Sequence, residues 1–326
     1  MARLAFMGSP AFAVPALETL AREHDIPAVF TQPDKPAGRG RQVVSVPVKT
    51  WAEAHGLPVY QPRSLRKDPA AIEMLRSLAP DAIVVAAYGL ILPQAVLDIP
   101  RHGCLNIHAS LLPKYRGAAP IPAAILAGET ETGVTIMRMD AGVDTGPMFA
   151  QAREPIHPDD TTLSLSARLA GLGARLVVET LPKILRGEIT PIEQDHSQAS
   201  LSPKIEKDDG RIDWSKPAIV IDRMVRAYTP WPGAFTSWND AMLKIVRASV
   251  IQPTNQATHE PTSQPTSEPA NQRISGQVVR LGKNAVGVVT GQGILELRAV
   301  QPAGKRVMSI EEFVRGQPKF VGAILK

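Results

Sequence analysis

Cysteine occurs once in 326 residues, so no intramolecular disulfide can staple the chain and a reducing compartment is expected. Aromatic residues are sparse, at 5%. The longest strongly apolar run, Ala82 to Leu92, has eleven residues, against roughly 20 for a helix that spans a bilayer. The glycine fingerprint of a dinucleotide fold is also missing. The first turn, Gly8-Ser9-Pro10-Ala11-Phe12-Ala13, holds a single glycine, and Pro10 removes a backbone donor where a pyrophosphate would sit, which disfavours a nicotinamide cofactor. No Gly-Lys-Ser/Thr phosphate loop follows elsewhere, so the chemistry should not need nucleotide hydrolysis. His102, Cys104 and His108 have suitable donor types but no Cys-x-x-Cys or His-Glu-x-x-His spacing, and no metal is expected. Cys104 has no evident base fixed beside it in sequence and reads as a buried strand residue.

What remains is an ordinary soluble composition, 44% hydrophobic and 21% charged, long enough for two domains. The N-terminus superficially resembles a signal peptide, with Ala11-Phe12-Ala13 as a cleavage-like triplet. Gly8-Ser9-Pro10 breaks that apolar stretch into a strand and a helix, so the segment reads as mature, cytoplasmic protein. Charge is distributed unevenly. Residues 1–200 carry 19 basic and 20 acidic side chains, net −1, whereas residues 201–326 carry 17 and 11, net +6. A basic second half suits a polyanionic partner, because Lys and Arg gain affinity by releasing counterions from phosphates; a merely soluble basic surface is the alternative.

The first half alternates apolar runs with helical stretches, the rhythm of a doubly wound, mostly parallel sheet. Strands are expected at Leu4–Met7, Ala28–Gln32, Pro58–Tyr60, Ala82–Ala87, Cys104–His108, Val134–Met139 and Met148–Arg153, the last two antiparallel across a short glycine-containing loop. Helices are expected at Ala16–Glu23, Lys49–His55, Ala70–Leu78, Pro120–Leu126 and Thr162–Leu185. Asp34–Val48, with Pro36, Gly38, Gly40 and Pro47 among Lys35, Arg39 and Arg41, reads as an exposed mobile loop. The division is residues 1–189 as one domain, 190–208 as a linker stiffened by Pro191 and Pro203, and 209–326 as a second domain. After a helix at Ala218–Ala227, five short strands from Ala234 to Gln301 suggest a small β-barrel of the OB type. The Pro-, Thr-, Ser- and Gln-rich tract Gln252–Gln272 reads as a disordered excursion between its strands. Tyr228, Trp231 and Trp238, which flank Pro230-Trp231-Pro232-Gly233, could stack on bases, but the favoured reading is that they plug the bottom of the barrel and pack its junction with the helix at Ala218–Ala227.

The densest polar constellation follows the fifth strand. In a strand, Asn106 and His108 project from one face, aiming an amide and an imidazole at a single point. Asn can donate to a developing oxyanion, and His can donate or pass a proton. Two ordinary satisfied side chains would leave the same pattern, but ligands of open α/β sheets bind beyond the carboxyl ends of strands, where this pair lies. The tight loop Met139–Pro147 could return Asp144 to that edge as a proton acceptor or imidazole partner, or Asp144 could cap its own loop in an Asx-turn.

Together these segments resemble the methionyl-tRNA formyltransferases over nearly the whole chain. The resemblance rests on Gly8-Ser9-Pro10-x-Phe12-Ala13, Thr31 to Gly40 (TQPDKPAGRG), Ala87 to Pro93 (AYGLILP), Asn106 to Pro113 (NIHASLLP), Arg116 to Ile121 (RGAAPI) and Asp140 to Gly146 (DAGVDTG). The Asn-x-His and distal Asp set alone is shared with other folate-dependent formyltransferases and formyl hydrolases. The resemblance implies Asn106, His108 and Asp144 as the catalytic trio. It also implies a folate pocket lined by Ser110, Leu111, Leu112 and Pro113 with Tyr88, Gly89, Leu90, Ile91 and Leu92. The donor would be 10-formyltetrahydrofolate, and the acceptor the α-amino group of methionyl initiator tRNA, touched by Lys35, Arg39 and Arg41 and by the C-terminal module. A metal-free monomer without an obligate protein partner or a membrane is expected. The rival readings are a formyl-folate hydrolase, a small-molecule formyltransferase and a noncatalytic RNA-binding factor; the basic second half and the Arg39/Arg41 loop speak against the first two, and the intact trio against the third.

Overall fold

In the computed structural model, residues 1–37, 42–251, 274–282 and 285–326 are described. Contacts divide the chain into two compact units, one of residues 1–124, 129–158 and 164–204, the other of residues 125–128, 159–163 and 205–326. The first part of the chain runs β1 (Arg3–Gly8), α1 (Val14–Glu23), β2 (Asp25–Phe30), β3 (Lys35–Ala37), β4 (Gln42–Val44), α2 (Pro47–Ala54), β5 (Val59–Tyr60), α3 (Pro69–Ser77), β6 (Ala82–Ala86) and α4 (Gln94–Leu97). It continues with β7 (Cys104–His108), β8 (Arg116–Gly117), α5 (Pro120–Ala127), β9 (Glu131–Arg138), β10 (Met148–Pro155), α6 (Thr162–Leu185) and β11 (Leu201–Ser202).

Seven of these strands form one sheet in the order β10-β9-β7-β6-β1-β2-β5. From β5 to β7 the neighbours are parallel, and β9 turns antiparallel against both β7 and β10. Each expected strand and helix therefore overlaps one of these elements, several running one or two residues past its end as Ala28–Gln32 does beyond β2, and β9 reverses direction one pairing earlier than the sequence suggested. The parallel strands read as unbroken apolar runs because both faces are covered: Leu4 to Met7 and Ile83 to Ala86 are all buried. Ala5, Met7, Ala28, Phe30, Ile83, Val85 and Cys104 alternate onto one face, packed with Leu65, Leu75, Val96 and Leu97. On the opposite face α6 lies against β7 and β9. A Cβ on Gly173 would come 2.7 Å from Ile107 Cγ2 and 3.5 Å from Val134 Cγ1, so glycine lets the helix backbone approach the sheet.

Chain order around β1 fixes the crevice. From β1 the chain steps outward through β2 to β5, then returns to β6 on the other side of β1. Such a reversal leaves a gap between the loops beyond the carboxyl ends of the two central strands. Residues after β1, β2 and β6 are tied together there: Ser9 Oγ and Gln32 Nε2 both donate to the Tyr88 carbonyl, at 3.3 and 2.9 Å.

The described residues of Asp34–Val48, 34–37 and 42–48, are more structured than a loop. β3 and β4 pair antiparallel, and Pro47 and Val48 begin α2 with Val48 fully buried. The base is fastened by Lys49 Nζ, 2.5 Å from Asp34 Oδ2 and 3.0 Å from Gln61 Oε1; Lys49 beside Asp34 holds that carboxyl below its usual range. Glycine and proline punctuation masked this pairing, because it depends on contacts across the segment rather than on its composition. Arg39 and Arg41 lie outside the described residues, as does Gln252–Gln272.

The second part contains α7 (Ala218–Ala227), β12 (Ala234–Trp238), β13 (Ala241–Ile251), β14 (Val278–Arg280), β15 (Val286–Val289), β16 (Ile294–Pro302), β17 (Met308–Ser309) and α8 (Ile310–Gly316). Its curled antiparallel sheet has the order β12-β13-β16-β15-β14, with β17 on β16. The chain end bonds both outer strands, Lys326 with Ser237 of β12 and Ala323 with Val278 of β14. Trp238 packs edge-on against Phe313 and Phe320, as a core residue should. Trp231 does not: it is 57% exposed, beside exposed Pro230 and buried Pro232, in a turn closed by Gly233 N donating to the Tyr228 carbonyl. No helix among the described residues is long and apolar enough to cross a membrane.

Replacing Gly173 by Val should push α6 off Ile107 and cost about 1–3 kcal/mol. A thermal midpoint unchanged from wild type would show that α6 does not seat against β7 as described.

Candidate active site

Cys104, Asn106 and His108 share a face of β7, opposite Leu105 and Ile107, because strand side chains alternate. Asn106 is half-buried and His108 is buried. The third member arrives from 36 residues beyond His108, on the loop between β9 and β10. Asp144 holds a left-handed backbone, φ +50°, a conformation that strains any residue with a side chain. Its carboxylate accepts from Asn106 Nδ2 at 3.1 Å and from the Gly117 backbone N–H at 2.9 Å. His108 Nδ1 stands 3.5 Å from Asp144 Oδ2. The three side chains singled out from the sequence therefore meet on the face of β7, in contact along the strand rather than only beyond its end.

The imidazole's other nitrogen settles its hydrogen placement. Nε2 lies 3.0 Å from the Tyr115 carbonyl, which also accepts from Ser202 Oγ at 3.1 Å. A carbonyl can only accept, so Nε2 carries a proton and Nδ1 is the nitrogen free to gain or lose one. Gly117 presents its N–H from a backbone of φ +113°, where a Cβ would also strike the Ser202 carbonyl at 2.7 Å. Glycine is required there on both counts.

Sequence reasoning missed the groups that hold this arrangement. Residues 190–204, expected as part of a linker, are built into the first unit: Ile192 pairs with Met148, and β11 pairs in parallel with β8. Between them Gln194, 4% exposed, donates through Nε2 to the carbonyls of Asp144 (2.9 Å) and Gly146 (2.7 Å). Buried Arg116 donates to Gln194 Oε1 through Nε and Nη2, at 3.1 and 2.8 Å. Thr135, across from His108 on β9, accepts from the Leu112 N–H and donates to the Ser110 carbonyl. Gln151 adds bonds to Thr135 Oγ1 and to the Leu112 carbonyl. Arg116 was visible only inside the motif Arg116 to Ile121, and nothing in the local pattern marked Gln194, Thr135 or Gln151.

The nine candidate pocket residues divide by what their side chains do. Ser110 spends its hydroxyl closing the turn onto the Lys114 carbonyl at 2.6 Å; Leu112 is buried, and the Leu112–Pro113 bond is cis. Tyr88 and Leu92 point into the apolar core, and the Tyr88 hydroxyl finds no partner among the described residues. Burial pushes the Tyr88 phenol well above its ordinary value. Leu90 and Leu111 are half-buried, and Ile91 is 79% exposed, so this loop offers backbone and an apolar rim at the crevice. Gly89 has φ +77° and stands against Gln32 Nε2, with no room for a side chain. Lys35 opens β3. Burial pushes the Cys104 thiol up to about 12, leaving it protonated and inert at neutral pH. Among the described residues, no three His, Cys, Asp or Glu side chains are grouped to hold a metal ion.

Comparison with known proteins agrees with this architecture. Residues 2–181 match the formyl transferase family, and residues 204–318 match the formyl transferase C-terminal domain. The methionyl-tRNA formyltransferase of Chloroflexus aggregans is 51% identical over 318 residues, covering 96% of this chain and 97% of the relative. That of Trichlorobacter lovleyi is 46% identical over 324 residues, 99% and 96% of the two chains. Among solved structures, an N-formyltransferase from Helicobacter canadensis in complex with folinic acid and dTDP-3-aminofucose aligns with TM-score 0.64 at 20% identity, over 93% of this chain and all of that one. The methionyl-tRNA formyltransferase of Clostridium thermocellum aligns with TM-score 0.54 at 15% identity, over 78% and 96%; at such identities the likeness is one of fold. Full-length identity near one half, with the two family matches in the same order along the chain, is decisive: the chain belongs to the methionyl-tRNA formyltransferase family.

Proposed function

We propose that this protein transfers the formyl group of 10-formyltetrahydrofolate to the α-amino group of methionyl initiator tRNA. The observation that carries the chemistry is the meeting of Asn106, His108 and Asp144 on one face of β7. Residues 1–189 would carry the reaction and residues 209–326, as an OB-like module, would bind tRNA.

The crevice suits a folate-type donor: the backbone of Tyr88 to Leu92 at the sheet's reversal, the exposed Ile91 side chain, and the turn Ser110 to Pro113 one strand away. When bound, the folate supplies an activated formyl carbon. Among the described residues the Asn106 amide makes one bond, to Asp144, and its second hydrogen would donate to the formyl oxygen as negative charge develops there; one such donor is worth about 3–4 kcal/mol. His108 accepts the attacking amine's proton at Nδ1 while Nε2 stays on the Tyr115 carbonyl. Asp144 stabilises the resulting imidazolium from 3.5 Å. The same proton then leaves on the departing folate nitrogen, so the new C–N bond forms and the old one breaks without net proton uptake.

A tRNA acceptor accounts for the +6 charge of residues 201–326, since phosphate contacts far from the reacting amine position without reading sequence. Lys35, Arg39 and Arg41 would reach the acceptor end, and translation initiation in the cytoplasm follows as the setting. The direct test is formyl transfer to methionyl initiator tRNA beside methionyl elongator tRNA and a tRNA-free control. Transfer favouring the initiator is expected, and formate release independent of tRNA would replace this reading with hydrolysis.

His108→Ala should lower turnover by about 10²–10⁴-fold with tRNA binding nearly unchanged; near wild-type turnover would remove the imidazole from the mechanism. Asn106→Asp would set two carboxylates about 3 Å apart, which cannot both ionise cheaply, and should cost about 10²–10³-fold in kcat. Arg41→Ala should raise the KM for tRNA about 3- to 10-fold and flatten its salt dependence by about one unit of slope, leaving kcat at saturation intact; an unchanged KM would place tRNA contacts elsewhere.

A further inference from the structure

We propose that Gln194 is a positioning residue for this reaction, acting through the main chain that carries Asp144; the inference rests on the formyl-transfer reading above. Asp144 must hold a left-handed backbone to turn its carboxylate toward Asn106, the Gly117 N–H and His108. Its own loop supplies little restraint for that: Asp140 caps Gly142 and Thr145 within the loop, where residues 139–143 are largely exposed. The restraint comes from 50 residues downstream. Both hydrogens of the Gln194 amide are spent on the loop, on Asp144 O at 2.9 Å and Gly146 O at 2.7 Å, one on each side of the Asp144–Gly146 span.

The carboxamide cannot flip. Arg116 has only donors, and two of them converge on Oε1, while the two loop carbonyls only accept, so the amide end must face the loop. Arg116 itself is 6% exposed, with no carboxylate at ion-pair distance among the described residues; its remaining partner is His196 Nδ1 at 3.0 Å. Arg116 and Gly117 are consecutive in β8, so one short strand orients Gln194 with a side chain and holds the Asp144 carboxylate with a backbone N–H. The loop is thus gripped at its main chain and at its side chain by adjoining groups. Fixing a reacting group within a few tenths of an ångström in this way raises the rate of the chemical step without touching substrate.

Two variants separate positioning from simple support of the fold. Gln194→Glu keeps an oxygen for Arg116 but deletes the donor to the loop. Gln194→Met deletes both and leaves the buried guanidinium short of a partner. If Gln194 positions Asp144, both variants lose kcat by about 10- to 100-fold with KM values for folate and tRNA within about twofold. Only Gln194→Met should also lower the thermal midpoint, by roughly 4 °C or more. Activity lost by Gln194→Met alone, in step with its midpoint, or kcat of Gln194→Glu within about twofold of wild type, overturns the positioning role while formyl transfer by the wild type still stands. A wild type that transfers no formyl group to methionyl-tRNA overturns both.

Discussion

The Asp144 carboxylate is the point on which the site closes. Alone, a left-handed aspartate in an exposed loop would turn outward and cap its own turn, as the Asx pattern of the sequence allowed. Instead it is drawn onto β7 by Asn106 Nδ2 and by the Gly117 N–H, with His108 alongside. Each of these needs something else in turn. Asn106 and His108 need β7 to be flat against α6 on the opposite face, which requires the absent side chain of Gly173. Gly117 needs a backbone that no other residue tolerates beside the Ser202 carbonyl.

That dependence explains why the stretch after α6 is more than a connector. A parallel sheet places polar side chains at strand ends but cannot by itself fold a distant loop back over the face of a strand. Residues 190–204 do so by running beside the strand start of β10 and beside β8, contributing Gln194, Ser200 and Ser202 to the shell around the trio. The backbone of β7 is fixed similarly on its other flank, where Thr135 and Gln151 satisfy the turn that follows His108.

Much of this was legible in the sequence. The parallel strands showed as apolar runs because burial on both faces leaves no alternation, and α6 showed its full span because Leu165, Leu169, Gly173, Val177 and Leu181 recur at helical spacing. Asn106 and His108 were legible as a pair because alternate strand residues share a face, whereas Asp144 could equally have capped its own loop, and only the family motifs named the three together. Gln194, Arg116 and Thr135 were not, since each is polar, unremarkable in its local pattern, and defined by a partner up to 78 residues away. The hairpin of β3 and β4 was hidden for the same reason, and Trp231 misled because an aromatic flanked by prolines fits a core and an exposed turn equally well.

Single-turnover formyl transfer by Asp144→Asn tests the account most directly. Asparagine fills the same volume and keeps one oxygen for the Gly117 N–H, but it gives up the acceptor facing Asn106 Nδ2 and removes the charge that would stabilise a protonated His108. A rate lower by about 10²–10³-fold or more is expected, with folate and tRNA affinities within about twofold of wild type. A single-turnover rate close to wild type would contradict it, and would leave the convergence on Asp144 as architecture without a part in the chemistry.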